Sequence, residues 1–256
     1  MALWKRCAKA YELGYERLLD PSTTTKECVE DGKAVHKYLE EAANGTWDGT
    51  VDGSMMSLVA AEYLKRKPLP AKGKAEHAIY TELIPGSVYL RCTFDLLYRD
   101  DDGFIVGRDY KTFDRSPTLD VDLDFQGRIY TTVLMRKFPG HPCRFEYEYI
   151  RRVPPGTKNS RGFWTDDECY INVPLLISEQ EAEQLWKETV EVAQYILIMK
   201  ERKIWPRYDL KAGPHSCSGC FYKDLCKTEL YQGELDAQTI DLLSTPRSPL
   251  VLPEGY

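Results

Sequence analysis

The stretch SVYLRCTFDLLYRDDDGFIVGRDYKT, Ser87 to Thr112, decides how the rest of the chain is read. Two apolar-rich runs flank Asp101-Asp102-Gly103, a short acidic loop closed by a glycine that can take the positive φ such turns need. With Asp102 at the tip, Asp95 lies opposite Asp109. Directly opposed side chains in an antiparallel pair have Cβ atoms about 5 Å apart, and like charges there are destabilising. Lys111, two residues past Asp109, points to the same face. Two carboxylates and an ammonium therefore converge on one patch of sheet. A divalent cation would relieve the repulsion and turn the patch into a hydrolytic centre. A D-x-K pair alone is ordinary on a solvated strand, and a one-residue slip would part the aspartates, so the surroundings have to decide.

Outward from the hairpin, strand-like runs cover Ala78–Ile84, Ser87–Tyr98 and Phe104–Thr112. Upstream, residues 2–18 and 27–43 read as helices, the second with Val29, Val35, Leu39 and Ala42 as an apolar stripe. A further helix covers Ser54–Arg66 and stops before Pro68. Downstream, Asp124–Phe138 is helical in period, and Arg144–Val153 and Cys169–Val173 read as strands. The polar segment Pro154–Asp167 between those strands reads as a mobile loop. A long amphipathic helix runs from Ser178 to about Lys203. The order predicts one α/β core, a small mixed sheet flanked by helices, wrapped by segments from both termini. Residues 1–232 form that domain, with 1–20 and 204–232 contributing its end segments, and 233–256 is a loosely held, proline-rich tail.

Composition sets limits. At 256 residues with 43% hydrophobic content the chain can build a normal core. No segment approaches the roughly 20 apolar residues of a membrane span, and no signal-peptide pattern opens the sequence, so a cytoplasmic location is expected. The 40 acidic residues outnumber the 34 basic ones, which argues against a chain that coats nucleic acid nonspecifically. A basic bias in the middle, from Arg128 to Arg161, leaves room for a local channel.

Two features flank the hairpin. Gly32-Lys-Ala-Val-His36 puts a histidine beside the apolar stripe of its helix, where histidines are usually satisfied boundary residues. Gln126-Gly-Arg-Ile-Tyr130 places Gln126 and Tyr130 on one helix face. In sequence, G-x-x-x-H, then Asp95, then Asp109-Tyr110-Lys111-Thr112, then Q-x-x-x-Y resembles the RecB-type nucleases of the PD-(D/E)XK superfamily over roughly Ala2 to Lys227. The resemblance implies a restriction-endonuclease-like core. It implies that His36, Asp95, Asp109 and the Tyr110 carbonyl ligate Mg²⁺ or Mn²⁺, that Lys111 assists attack on a phosphodiester, and that Gln126 and Tyr130 help hold the site and the DNA. One residue departs from the pattern: Cys92 stands where the family often has glycine. Glu76 and Glu82 precede the site without falling in a motif.

Of eight cysteines, Cys217, Cys220 and Cys226 form C-x2-C-x5-C. Thiolates this close in a reducing compartment normally share a metal, with Cys7, Cys28 or His215 as the fourth ligand and zinc as the simple occupant. A subgroup of the RecB-like family, including CRISPR-associated and AddB-type nucleases and phage-encoded relatives, pairs one N-terminal cysteine with a C-terminal triplet around a [4Fe-4S] cluster. By that resemblance Cys7 completes a structural cluster with Cys217, Cys220 and Cys226. The expectation is a stand-alone, metal-dependent DNA exonuclease acting on single-stranded ends in the cytoplasm, the host's if phage-encoded. The alternatives are a DNA-end-binding module of a recombination or CRISPR adaptation complex, and a zinc-stapled RNA nuclease or RNA-binding protein.

Overall fold

The computed structural model describes residues 7–21, 27–115, 117, 121, 124–160, 162–206, 220, 222–233, 235, 237 and 244–246. The chain divides into two compact units, Thr25–Glu191 and a unit formed by Met1–Thr24 with Val192–Tyr256. The boundary falls within the helix Glu179–Arg202.

The larger unit is built on a five-stranded mixed sheet of β1 (Lys74–Ile84), β2 (Val88–Arg99), β3 (Ile105–Phe113), β4 (Cys143–Arg151) and β5 (Tyr170–Leu175), in that spatial order. β1, β2 and β3 are joined as antiparallel neighbours, β3 and β4 run parallel, and β5 returns antiparallel. Helices α1 (Glu27–Ala43) and α2 (Met55–Arg66) precede the sheet, and α3 (Phe125–Lys137) makes the crossover that a parallel pair demands. Pro174, which cannot donate to a ladder, is accommodated because β5 is an edge strand.

The apolar stripes dictate a three-layer arrangement. Val35 and Leu39 of α1 and Val59 and Tyr63 of α2 pack with Leu96, Val106, Tyr110 and Ile150. On the other side, Val133 and Leu134 of α3 pack with Phe94, Phe145 and Leu175. Each long element coincides with its expected segment to within a few residues, with Ser54 and Asp124 capping α2 and α3 through their side chains. The hairpin has the expected register: Leu96 pairs with Arg108 and Arg99 with Ile105, which leaves Asp102 at the tip. Pro154–Asp167 is more ordered than its composition suggests. It contains a small antiparallel hairpin, Lys158–Asn159 with Gly162–Phe163, and leads into the short helix Asp166–Cys169.

In the smaller unit the helix expected over 2–18 is, in its described part, one α-turn (Ala8–Tyr11) followed by a π-turn (Glu12–Glu16). Leu19–Pro21 pairs antiparallel with Ser244–Pro246, joining the two ends of the chain. Ala10, Leu13 and Leu19 pack with Tyr222 and Leu225, the latter on the helix Lys223–Gln232. The buried Lys9 pairs with Glu12 and Glu229, and Arg17 reaches Glu229 at 2.5 Å. Among the described residues no helix is long and apolar enough to cross a membrane.

Candidate active site

The β2–β3 ladder covers four residue pairs and stops at Leu96–Arg108, one position short of Asp95 and Asp109. Along β2 the alternation of faces also breaks there. Cys92 and Phe94 face the α3 layer, whereas Leu96 and Tyr98, also even-numbered, face α1 and α2. Asp95 occupies the switch. Its carboxylate replaces the missing ladder bond: the Tyr110 backbone N–H donates to Asp95 Oδ2 at 2.7 Å. The two aspartates are thus brought together as expected, with Asp95 filling the gap between the strands.

His36 on α1 reaches the same atom, its Nδ1 lying 3.4 Å from Asp95 Oδ2. Its ring stands edge-on to Tyr110 with centroids 6.1 Å apart. The glycine of G-x-x-x-H has a packing reason, since a Cβ on Gly32 would lie 3.0 Å from Thr112 Oγ1. Close approach of α1 to β3 is what delivers His36. Burial lowers the His36 pKa, opposed by the Asp109 charge and a hydrogen bond to the Tyr110 backbone. The imidazole is therefore neutral at pH 7, with a lone pair to offer. Burial and then the Asp109 charge push the Asp95 pKa up to about 7, against the opposing effects of the Tyr110 N–H and Lys111.

On the α3 side, Lys111 Nζ lies 2.6 Å from Asp109 Oδ2, an ion pair without hydrogen-bond alignment, so that oxygen is buried with no hydrogen-bond donor. Gln126 Nε2 donates to Asp109 Oδ1 at 3.1 Å. Gly127 lets α3 come close enough for this, because a Cβ there would meet Leu175 at 2.7 Å. Tyr130 is placed differently from Gln126. It packs on Phe94 and Phe145, with centroid separations of 5.0 and 5.3 Å, and so lies partly buried against the core beneath the site.

Two residues outside the expected set join the site. Tyr147, opposite Asp109 in the parallel β3–β4 register, carries Lys111 Nζ 5.7 Å from its ring and donates its hydroxyl to the α3 cap Asp124. Glu76 faces Asp95 across β1–β2, since its neighbours Ala75 and His77 pair with Leu96 and Phe94. Glu76 has φ +45°, a left-handed conformation that a glutamate adopts at a cost. Burial raises its pKa, and the charges of Asp95 and Glu40 raise it further. The family's usual glycine is replaced without disruption, because Cys92 is fully buried against the α3 layer and paired with Ile79.

The donor set of two carboxylates, a peptide carbonyl and a neutral imidazole suits Mg²⁺ or Mn²⁺. The buried Asp109 oxygen that lacks a hydrogen-bond donor fits a cation in the same way. In the side-chain positions seen, Lys111 and the Tyr110 N–H take the facing carboxylate oxygens. Among the described residues no three His, Cys, Asp or Glu side chains are drawn around one ion-sized point. In the smaller unit Cys7, Cys220 and Cys226 all pack against the Leu13–Leu225 core. Cys217 and His215 lie outside the described residues, as does the Cys28 side chain.

Comparison with known proteins bears on this geometry. No curated protein matches the chain. Among solved structures, a "Putative exonuclease" from Eubacterium rectale is 13% identical over 80% of this chain and 78% of its own, with a TM-score of 0.47. A protein named SSO0001 is 15% identical over 88% of this chain and 93% of its own, with a TM-score of 0.34. Neither likeness bears on activity at such scores. The model of the PD-(D/E)XK nuclease superfamily matches residues 53–227, which include Asp95, Asp109, Lys111, Gln126 and Tyr130 and leave His36 and Cys7 upstream. With most of its length matched, the chain belongs to the PD-(D/E)XK nuclease superfamily.

Proposed function

We propose that the protein is a metal-dependent DNA exonuclease acting on single-stranded ends. The observation that carries this reading is the pair Asp95 and Asp109 held together at the end of the β2–β3 ladder, with Lys111 2.6 Å from Asp109. His36, Asp95, Asp109 and the Tyr110 carbonyl would hold Mg²⁺ or Mn²⁺, which supplies Lewis-acid polarisation of the phosphodiester and a more acidic water. Lys111 is half-exposed and can leave Asp109 for a phosphate oxygen, where its ammonium stabilises developing charge. Gln126 orients Asp109 from α3. Tyr130 packs α3 on the sheet through Phe94 and Phe145 and, being only partly buried, is assigned with Gln126 to the DNA-facing side of the site.

The smaller unit is assigned a structural [4Fe-4S] cluster on Cys7, Cys217, Cys220 and Cys226. The reading is supported by Cys7, Cys220 and Cys226 flanking one small core that joins both chain ends. Iron and labile sulfide in an anaerobic preparation are expected, and stoichiometric zinc without iron contradicts it. The nuclease reading is tested by digesting end-labelled linear and closed circular single-stranded DNA with Mg²⁺, Mn²⁺ or EDTA. Mononucleotides or short fragments released from linear DNA alone, lost in EDTA and in Asp109→Ala and Lys111→Ala, are the expected result. Undiminished cleavage in both variants removes the site assignment, and cleavage of the circle removes the exonuclease one.

A further inference from the structure

We propose that the hairpin Lys158–Asn159/Gly162–Phe163 is a stacking platform for the bases of single-stranded DNA at the rim of the active site, an inference that rests on the nuclease reading. In this ladder Lys158 is directly paired with Phe163. Opposed residues of an antiparallel pair share a face, so the Lys158 and Phe163 side chains leave the ladder on the same side. Both are exposed, Phe163 at 65%. The next residue, Trp164, turns the other way and is partly buried against the α1–α2 layer. The Arg151 guanidinium is sandwiched between Trp164, 3.8 Å from its ring, and Phe113, 4.6 Å from its ring. Backbone bonds between Gly156 and Trp164 and between Trp164 and Thr157 complete the anchoring.

That anchoring locates the platform. Phe113 is two residues beyond Lys111 on β3, roughly 7 Å along the strand. Through Arg151 and Trp164 the hairpin is therefore tied to the end of the strand that carries Asp109 and Lys111, within a few nucleotides' reach. Single exposed apolar residues are common and need no explanation by themselves. Here, however, the anchor is the partly buried Trp164, and packing makes no demand for a second ring on the outer face. An exposed ring and a lysine on one ladder face match an unpaired strand, whose bases offer π-faces and whose phosphates offer charge. Duplex DNA hides those faces. A chain with net charge −6 has reason to hold DNA by stacking and a few local cations rather than by a broad basic surface.

The test measures fluorescence anisotropy of a labelled oligothymidylate, and of the corresponding duplex, in EDTA so that binding is read without cleavage. Phe163→Ala is expected to weaken oligothymidylate binding about tenfold, while Phe163→Trp stays within about twofold of wild type and duplex binding changes little. Lys158→Ala is expected to reduce the steepness of log K against log salt by about 0.7, the loss of one phosphate contact to a single strand. Phe163→Ala binding within about twofold of wild type, or equal losses in Phe163→Ala and Phe163→Trp, overturns the platform. Because the readout needs no cleavage, an inactive nuclease that still shows the Phe163 pattern refutes only the catalytic reading. An active one without the pattern refutes only this inference.

Discussion

Two pairs of carboxylates lie in the same sheet, and the protein treats them differently. Glu146 and Glu148 on β4 are almost wholly buried, yet each accepts hydrogen bonds from two side chains. Glu146 accepts from Arg108 at 2.6 Å and Tyr98 at 2.7 Å, and Glu148 from Lys67 at 2.6 Å and Asn172 at 2.9 Å. Asp95 and Asp109 meet where the β2–β3 ladder ends, Lys111 is ion-paired to Asp109, and Asp109 Oδ2 is buried with no hydrogen-bond donor. Burying a charge is tolerable when donors match it and costly when they do not. The first pair is architecture. The second is a deficit of positive charge, which is what a cation site looks like in terms of hydrogen bonding.

This contrast predicts opposite phenotypes. Asp109→Ala or Lys111→Ala should lower the cleavage rate on the order of a thousandfold, as loss of a group that stabilises transition-state charge typically does, with little loss of stability. Lys67→Met should instead cost about 3 kcal/mol in urea unfolding, because it strands the buried Glu148 charge, and Glu148→Gln should cost less. Similar stability losses in Lys67→Met and Asp109→Ala would break the comparison.

Titration sharpens it. Asp95 is held protonated in the fold up to about 7, above its ordinary value of 3.8, so its contribution to stability is present at low pH and lost as pH rises through 7. In EDTA, thermal unfolding should therefore show the protein losing stability between about pH 4 and 7, a slope that Asp95→Asn removes. Above that window Mg²⁺ at a hundredfold excess over its Kd should restore about 2.7 kcal/mol, and proton competition should shrink the gain at pH 5. The smallest effect belongs to Glu76. Glu76→Gly relieves the left-handed backbone and should raise stability by about 1 kcal/mol while lowering cleavage, a trade visible as a higher Tm beside a slower rate.

Much of the site was legible because local chemistry sets it. The acidic turn at Asp101–Gly103 fixes the hairpin register, and with it the meeting of Asp95 and Asp109. Helical period places α1 and, with the Asp124 cap, α3, and so His36 and Gln126. What escaped depends on backbone geometry and long-range pairing. The left-handed turn at Glu76 has no glycine to announce it, so the third carboxylate stayed hidden. Tyr147 reaches Lys111 only through the parallel β3–β4 register, which the crossover helix sets and no local pattern reveals. The ladder Lys158–Phe163 has two-residue strands, too short to show alternation, and its polar composition passed for a loop. Tyr130 shares a helical face with Gln126, and that spacing alone does not separate their surroundings. The structure packs the partly buried Tyr130 ring against Phe94 and Phe145, whereas Gln126 reaches Asp109.

The most direct measurement is a titration of the EDTA-stripped, dialysed protein with Mn²⁺, followed by electron paramagnetic resonance, for wild type, Asp95→Asn, Asp109→Ala and Lys67→Met. If the facing aspartates form a cation site, wild type and Lys67→Met bind Mn²⁺ alike and both aspartate variants lose that binding. Equal Mn²⁺ binding by wild type and Asp109→Ala would contradict it.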